Sequence, residues 1–194
     1  MEQALRNNQF PEDVNEFNEW YSDISDIHDL DTSRSNSALI GGYRIFPFFP
    51  AFWPQICNFP MRKDDVIIAT FPKSGTTWMQ QLLYLVTTQD FEGANKVRVD
   101  LRAPFIEFPK PCTNAALDEL ANRTTARVLK THLPVTMLPK NACNGKVIYV
   151  HRNPKDVAVS YYHHYRAWNR AGPKYEHSFE KFCRDFMADE CKQF

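Results

Sequence analysis

Apolar positions change period several times along the chain. From residue 14 to residue 30, Val14, Phe17, Trp20, Tyr21, Ile24, Ile27 and Leu30 recur every three or four residues, with acids between them. That spacing predicts one face of a helix, and Ser33 to Ser37 is a polar break. Residues 43–60 are crowded with rings: Tyr43, Phe46, Phe48, Phe49, Phe52, Trp53 and Phe59. Pro47, Pro50, Pro54 and Pro60 forbid long regular structure there, so the stretch reads as a core-covering loop. The run Val66-Ile67-Ile68-Ala69-Thr70-Phe71 is short, β-branched and closed by Pro72, as in a buried strand over 66–70. Trp78 to Val86 returns to helical spacing and predicts a helix from about 76 to 89.

A long polar connection containing Pro104-Phe105-Ile106-Glu107-Phe108-Pro109 leads to a helix over 114–121. Arg127-Val128-Leu129-Lys130 and Lys146-Val147-Ile148-Tyr149-Val150 read as two further strands. Asn153-Pro154-Lys155-Asp156 opens the next helix: Asn153 is a good cap, Pro154 suits the first turn, and Asp156 completes an arrangement like a capping box. Val157, Tyr161, His164, Tyr165 and Trp168 follow at helical spacing until Gly172-Pro173. A last amphipathic helix starts near Ser178, with Phe179, Phe182, Phe186 and Met187 on one face. Strands that alternate with helices predict an α/β fold with a central parallel sheet and crossover helices.

Composition narrows the class. A length of 194 residues, 43% apolar and 24% charged, suits one soluble globular domain. No run approaches the ~18 apolar residues of a membrane span, and the first residues have no secretory pattern. Cys57, Cys112, Cys143, Cys183 and Cys191 are scattered and odd in number, which points to reduced thiols in a cytoplasmic protein. Charge is uneven. Residues 1–40 hold nine acids and two bases, a net −7, and the rest holds 21 bases and 14 acids, a net +7. The chain thus divides into an acidic extension, 1–40, and a basic body, 41–194. The basic body suits an anionic ligand, and its bases form no runs of the kind that track nucleic acid.

The candidate chemistry begins at Pro72-Lys73-Ser74-Gly75-Thr76-Thr77-Trp78. Strand, small-residue turn and helix start form an anion site, because the free amides of the first helical turn and the positive dipole end converge there. Gly75 lets the backbone come close, Lys73 adds charge, and the hydroxyls of Ser74, Thr76 and Thr77 add donors. An ordinary capped helix is the alternative. The loop is not a Walker A sequence, in which Lys follows the glycines.

The heptapeptide resembles the 5′-phosphosulfate loop of the cytosolic sulfotransferases. Leu129-Lys130-Thr131-His132-Leu133-Pro134 is similar to the segment in which that family keeps its catalytic base. Tyr149-Val150-His151-Arg152-Asn153-Pro154-Lys155-Asp156-Val157-Ala158-Val159-Ser160 resembles the family's 3′-phosphate motif. Each segment follows a predicted strand, at the edge where open α/β sheets bind ligands. The resemblance implies a P-loop-like three-layer fold and sulfonate transfer from 3′-phosphoadenylyl sulfate (PAPS) to a hydroxyl or amine, without a metal. It makes His132 the base, Lys73 the neutraliser of the bridging oxygen, and Lys130 with the Thr76 and Thr77 amides the holders of the sulfonyl oxygens. Trp78 would stack on adenine, and Arg152 and Ser160 would hold the 3′-phosphate. Phe105 and Phe108 match acceptor-lining positions, and rings in 43–60 approach the same pocket in the family. Both imply a small, largely apolar acceptor; plain core is the other reading of those phenylalanines.

Several departures stand out. Phe71 replaces a common Tyr, His151 occupies a position that is often small, and residues 1–40 are longer than the family's usual start. The resemblance covers about 43–194. The family's Arg-Lys-Gly segment, its second adenine-contacting aromatic and its dimerisation motif are not in the sequence. It therefore reads as the N-terminal portion of a sulfotransferase catalytic domain: a fragment, a truncated gene model or a splice form. A non-catalytic nucleotide-binding fragment is the second reading. A P-loop nucleotide kinase is the third, weakened by the loop order and by the lack of an evident Mg²⁺-binding acid after a strand.

Overall fold

The computed structural model describes residues 38–40, 43–45, 49, 52–108, 113–167 and 175–188. The helical face read over residues 14–30 and the Gly172-Pro173 stop lie outside them. β1 (Ala38–Ile40) and β2 (Tyr43–Ile45) pair antiparallel. β3 (Val66–Thr70) lies between β4 (Val128–Thr131) and β5 (Lys146–Val150), and both pairings are parallel. Val66 stands opposite Val128 and Lys146, and Thr70 opposite Val150. The chain therefore goes to one side of β3 for β4 and crosses to the other for β5. All three strands end at one edge, where the following loops meet.

The two-residue period of the strands sorts their side chains. Ile67, Ala69 and Leu129 join a buried cluster with Phe49, Phe52, Trp53, Ile56, Phe59, Ile106 and Leu117. α2 (Thr76–Thr88) packs against β3 and β4. β5 is less covered, and its Val147 and Tyr149 remain exposed.

The ring-rich stretch departs from expectation. Trp53–Cys57 is a short helix, α1, which accommodates Pro54 because the first turn has no amide acceptor to lose. Phe49, Phe52, Trp53 and Phe59 are buried in the main cluster rather than set against the ligand cleft. The polar connection also contains two helical turns, α3 (Gly93–Lys96) and α4 (Val99–Arg102). α5 runs Asn114–Asn122 and is capped by the Thr113 hydroxyl, which accepts the Ala116 amide.

β4 starts one residue later than predicted because Arg127 turns inward. Its Nε donates to Asp65 Oδ1 at 2.9 Å, and its Nη2 pairs with Oδ2. Nη1 donates to the carbonyls of Leu120 and Ala121 at the end of α5, and Nη2 to Pro60. Asp65 also accepts the amides of Arg62 and Arg127. Burial pushes the Asp65 pKa up, but these donors outweigh it and hold the carboxyl below its ordinary value. Asp65→Ala should therefore cost about 3–5 kcal/mol, because it leaves a buried guanidinium unpaired. Urea unfolding checks this, and a loss under ~1 kcal/mol would place the pair among the weak surface ion pairs instead.

Behind β5, Asn153 Oδ1 accepts the Lys155 amide at 3.0 Å and opens α6 (Pro154–Ala167). Ser178 caps α7 (Phe179–Met187) by accepting from Lys181. The two helices meet through Ala158, Tyr161 and Phe182. Phe71 sets its ring edge-on to Tyr161 and Phe186, so the start of the turn between β3 and α2 rests on this pair. Among the described residues, no helix is long and apolar enough to cross a membrane.

Candidate active site

A cleft of about 630 Å³ opens at the carboxyl edge of the sheet. Lys73, Gly75, Thr76, Thr77 and Trp78 line it from the loop after β3, and Lys130 and His132 from the end of β4. Arg152 and Ser160 line it from the β5–α6 segment, and Phe105 and Phe108 from the connection before α5. One cleft thus gathers every candidate side chain but one. Ser74 is buried and does not line it.

The loop turns sharply. Gly75, the cap of α2, has φ 113°, and a Cβ there would meet only Val150 Cγ1 at 3.8 Å. The dihedral angle, not space, requires glycine. Lys73 has φ 67°, an uncommon conformation for a residue with a Cβ. The first intrahelical bond of α2 runs from Met79 to Gly75, so the amides of Thr76, Thr77 and Trp78 have no acceptor within the helix. The Thr76 hydroxyl, expected as a ligand donor, is instead 2.6 Å from the Thr70 hydroxyl, because buried Thr70 lies directly beneath it. Trp78 keeps its ring exposed at the cleft. Arg152 Nη1 donates to the Lys73 carbonyl at 3.3 Å and ties the two loops together.

His132 is held by the same threonine. Its Nδ1 lies 2.7 Å from the Thr70 carbonyl and 3.1 Å from the hydroxyl. A carbonyl only accepts, so Nδ1 carries the proton and the basic lone pair is on Nε2. Burial lowers the His132 pKa to about 4; the Thr70 hydrogen bond works against this, and the Lys130 charge adds to it. The near-neutral value expected of a catalytic base is thus displaced by desolvation.

The Phe105 side of the cleft is built on an extra strand-like addition. Lys130 donates its amide to Pro104, and Ile106 donates to Lys130, so Phe105 pairs with Lys130 at the edge of β4. The Phe105 ring meets His132 edge-on at 5.1 Å, and Lys130 Nζ sits 4.2 Å over the same ring. Phe108 follows at 6.4 Å from Phe105. Sequence reasoning missed Thr70, Glu107 and His164. Glu107 binds the His132 amide. His164 lines the cleft, and burial followed by the Lys73 charge lowers its pKa. His151 lies outside the lining and stacks on Tyr149.

Two buried groups set opposite pH trends. Burial raises the Glu107 pKa from 4.5 to about 7, so the folded chain keeps a proton that the unfolded chain loses. Stability from this group falls as pH rises from 4.5 to about 7. His132, lowered from 6.5 to about 4, refuses a proton that the unfolded chain takes up, so its contribution rises with pH over that window. The slopes largely cancel in the unmutated chain. Relative to the unmutated chain, thermal unfolding across pH 4.5–6.5 should tilt toward lower stability at higher pH in His132→Asn and toward higher stability at higher pH in Glu107→Gln. Parallel profiles in all three chains would contradict the assignment.

The parallel sheet, its helices and the anion loop place the chain among the P-loop-like α/β proteins. A sequence model of the sulfotransferase domain matches residues 63–192. Human sulfotransferase 4A1 is 41% identical over 152 residues, which are 77% of this chain and 51% of that protein. Bovine sulfotransferase 1A1 is 40% identical over 164 residues, 82% of this chain and 55% of that protein. Among solved structures, retinol dehydratase in complex with retinol and PAP superposes with a TM-score of 0.67 at 25% identity, over 79% of this chain and 54% of that one. Mouse sulfotransferase SULT7A1 complexed with PAP gives 0.60 at 26% identity, over 79% and 51%. The chain belongs to the sulfotransferase domain family. It spans about half the length of the curated relatives it matches.

Proposed function

We propose that the cleft serves sulfonate transfer from PAPS to a hydroxyl or amine of a small, largely apolar acceptor. The observation that carries this is the His132 tautomer. Thr70 fixes the Nδ1 proton, which makes Nε2 the basic nitrogen of a residue that lines the same cleft as Lys73 and the turn after β3. His132 Nε2 takes the acceptor proton as the acceptor oxygen or nitrogen attacks sulfur. The bond from sulfur to the bridging phosphate oxygen breaks, and Lys73 neutralises the charge that develops on the departing adenosine 3′,5′-bisphosphate (PAP). Lys130 and the Thr76 and Thr77 amides hold the sulfonyl oxygens. Ser74 and Gly75 shape the loop, Trp78 stacks on adenine, and Arg152 and Ser160 bind the 3′-phosphate. Phe105 and Phe108 give the acceptor an apolar wall. Retinol dehydratase, of similar fold, is found in complex with PAP and with retinol or androsterone, which supports a cleft that takes both a nucleotide and a small apolar molecule.

Titration calorimetry with PAP against ATP tests the reading. PAP should bind more tightly, because Arg152 and Ser160 recognise a 3′-phosphate that ATP lacks. Preference for ATP would turn the reading toward a nucleotide kinase.

A further inference from the structure

Glu107 is a buried carboxyl that the transfer chemistry leaves unused. It is 2% exposed. Oε1 accepts the backbone amide of His132. Burial raises its pKa against the pull of the His132 amide, the Thr131 hydroxyl and the Lys130 charge. Burying a carboxyl is costly even with these donors, and an apolar residue would fill the space without that cost. Its neighbours in sequence explain the position. Phe105 and Phe108 form the acceptor wall on either side of it. Residues 104–106 already pair with Lys130 through two backbone hydrogen bonds. The Glu107 side chain extends that pairing to His132, whose ring packs edge-on against Phe105.

We propose that Glu107 is a positioning residue that locks the aromatic wall of the acceptor cleft to the backbone of His132. A molecule seated against Phe105 and Phe108 then meets the Nε2 lone pair in a fixed register. The catalytic meaning of this link rests on the sulfotransferase reading; the link itself does not.

Nuclear magnetic resonance of the full chain tests it, with Glu107→Gln and Glu107→Leu beside the unmutated protein. Gln keeps an acceptor oxygen and should keep the His132 amide protected and its ring as the Nδ1–H tautomer. Leu fills a similar volume without an acceptor. There, below pH 7 where Glu107 is protonated, the His132 amide should exchange roughly 2- to 10-fold faster, as for loss of a hydrogen bond between neutral groups, and the ring should shift its signals as its edge-on contact with Phe105 loosens. A folded Glu107→Leu chain with unchanged His132 amide and ring signals overturns the proposal, as does a folded Glu107→Gln chain that behaves like Leu. Should the Leu variant not fold, the unmutated chain decides. Its His132 amide must shift with the same midpoint as the Glu107 carboxyl carbon, near pH 7, and unlinked midpoints overturn the proposal. PAP calorimetry on the same samples separates the two levels. Failure of the unmutated chain to bind PAP counts against the sulfotransferase reading, whereas the His132 signals alone decide the link.

Discussion

In a complete enzyme that carries this segment, Lys73→Ala should lower sulfonate transfer by roughly 10²–10³-fold, the ~3–4 kcal/mol that one charge contact to a developing anion supplies. Lys73 lines the cleft from the anion loop, and Arg152 holds its carbonyl. Its backbone is left-handed at φ 67°. Two effects are therefore present at one residue, and they separate experimentally. Alanine keeps the Cβ and the backbone penalty, so its stability should match that of the unmutated chain. Glycine removes the penalty and should stabilise the fold by ~1 kcal/mol, yet it should be as poor in transfer as alanine. Rates of PAP formation with PAPS and a phenolic acceptor, alongside thermal unfolding, check both. Near-normal transfer in either variant would remove Lys73 from the chemistry and leave the loop as an ordinary helix start.

The strand at 66–70, the strand at 146–150 and the helix starts at Thr76, Pro154 and Phe179 were legible because their signals are local. A β-branched run, a cap or a proline acts within a few residues. Residues 43–60 were read less well for a physical reason. Ring content shows that a segment will be buried but not which surface buries it, and Phe49, Phe52, Trp53 and Phe59 went to the core. The candidate site was legible as three segments because each follows a strand. Its internal wiring was not. Thr70 and His132 are 62 positions apart, and Glu107 reaches His132 across 25. No periodicity or spacing announces that Thr70 fixes a tautomer, or that its hydroxyl occupies that of Thr76. Such contacts exist only once β3 and β4 pair in their particular register.

In a complete enzyme that carries this segment, His132→Asn should lower transfer by about 10²–10⁴-fold, the range that a positioned general base contributes, and leave PAP affinity within about twofold. The argument is geometric. The imidazole faces Phe105, on the side proposed for the acceptor, whereas the nucleotide is proposed to meet Trp78, Arg152, Ser160 and the loop amides. Asparagine can still donate a hydrogen bond to the Thr70 carbonyl, so the buried acceptor under the ring is not orphaned. What it lacks is a basic nitrogen. The low pKa of His132, about 4, adds a second expectation. A base already neutral at pH 5 gains nothing from further alkali, so the transfer rate should be nearly flat from pH 6 to pH 8 on account of this residue. Comparing transfer rates and PAP calorimetry of the two chains decides the matter. If His132→Asn loses PAP binding and keeps transfer at saturating nucleotide, the imidazole belongs to the nucleotide site, and the acceptor proton must leave by another group in the cleft, with His164 the first to test.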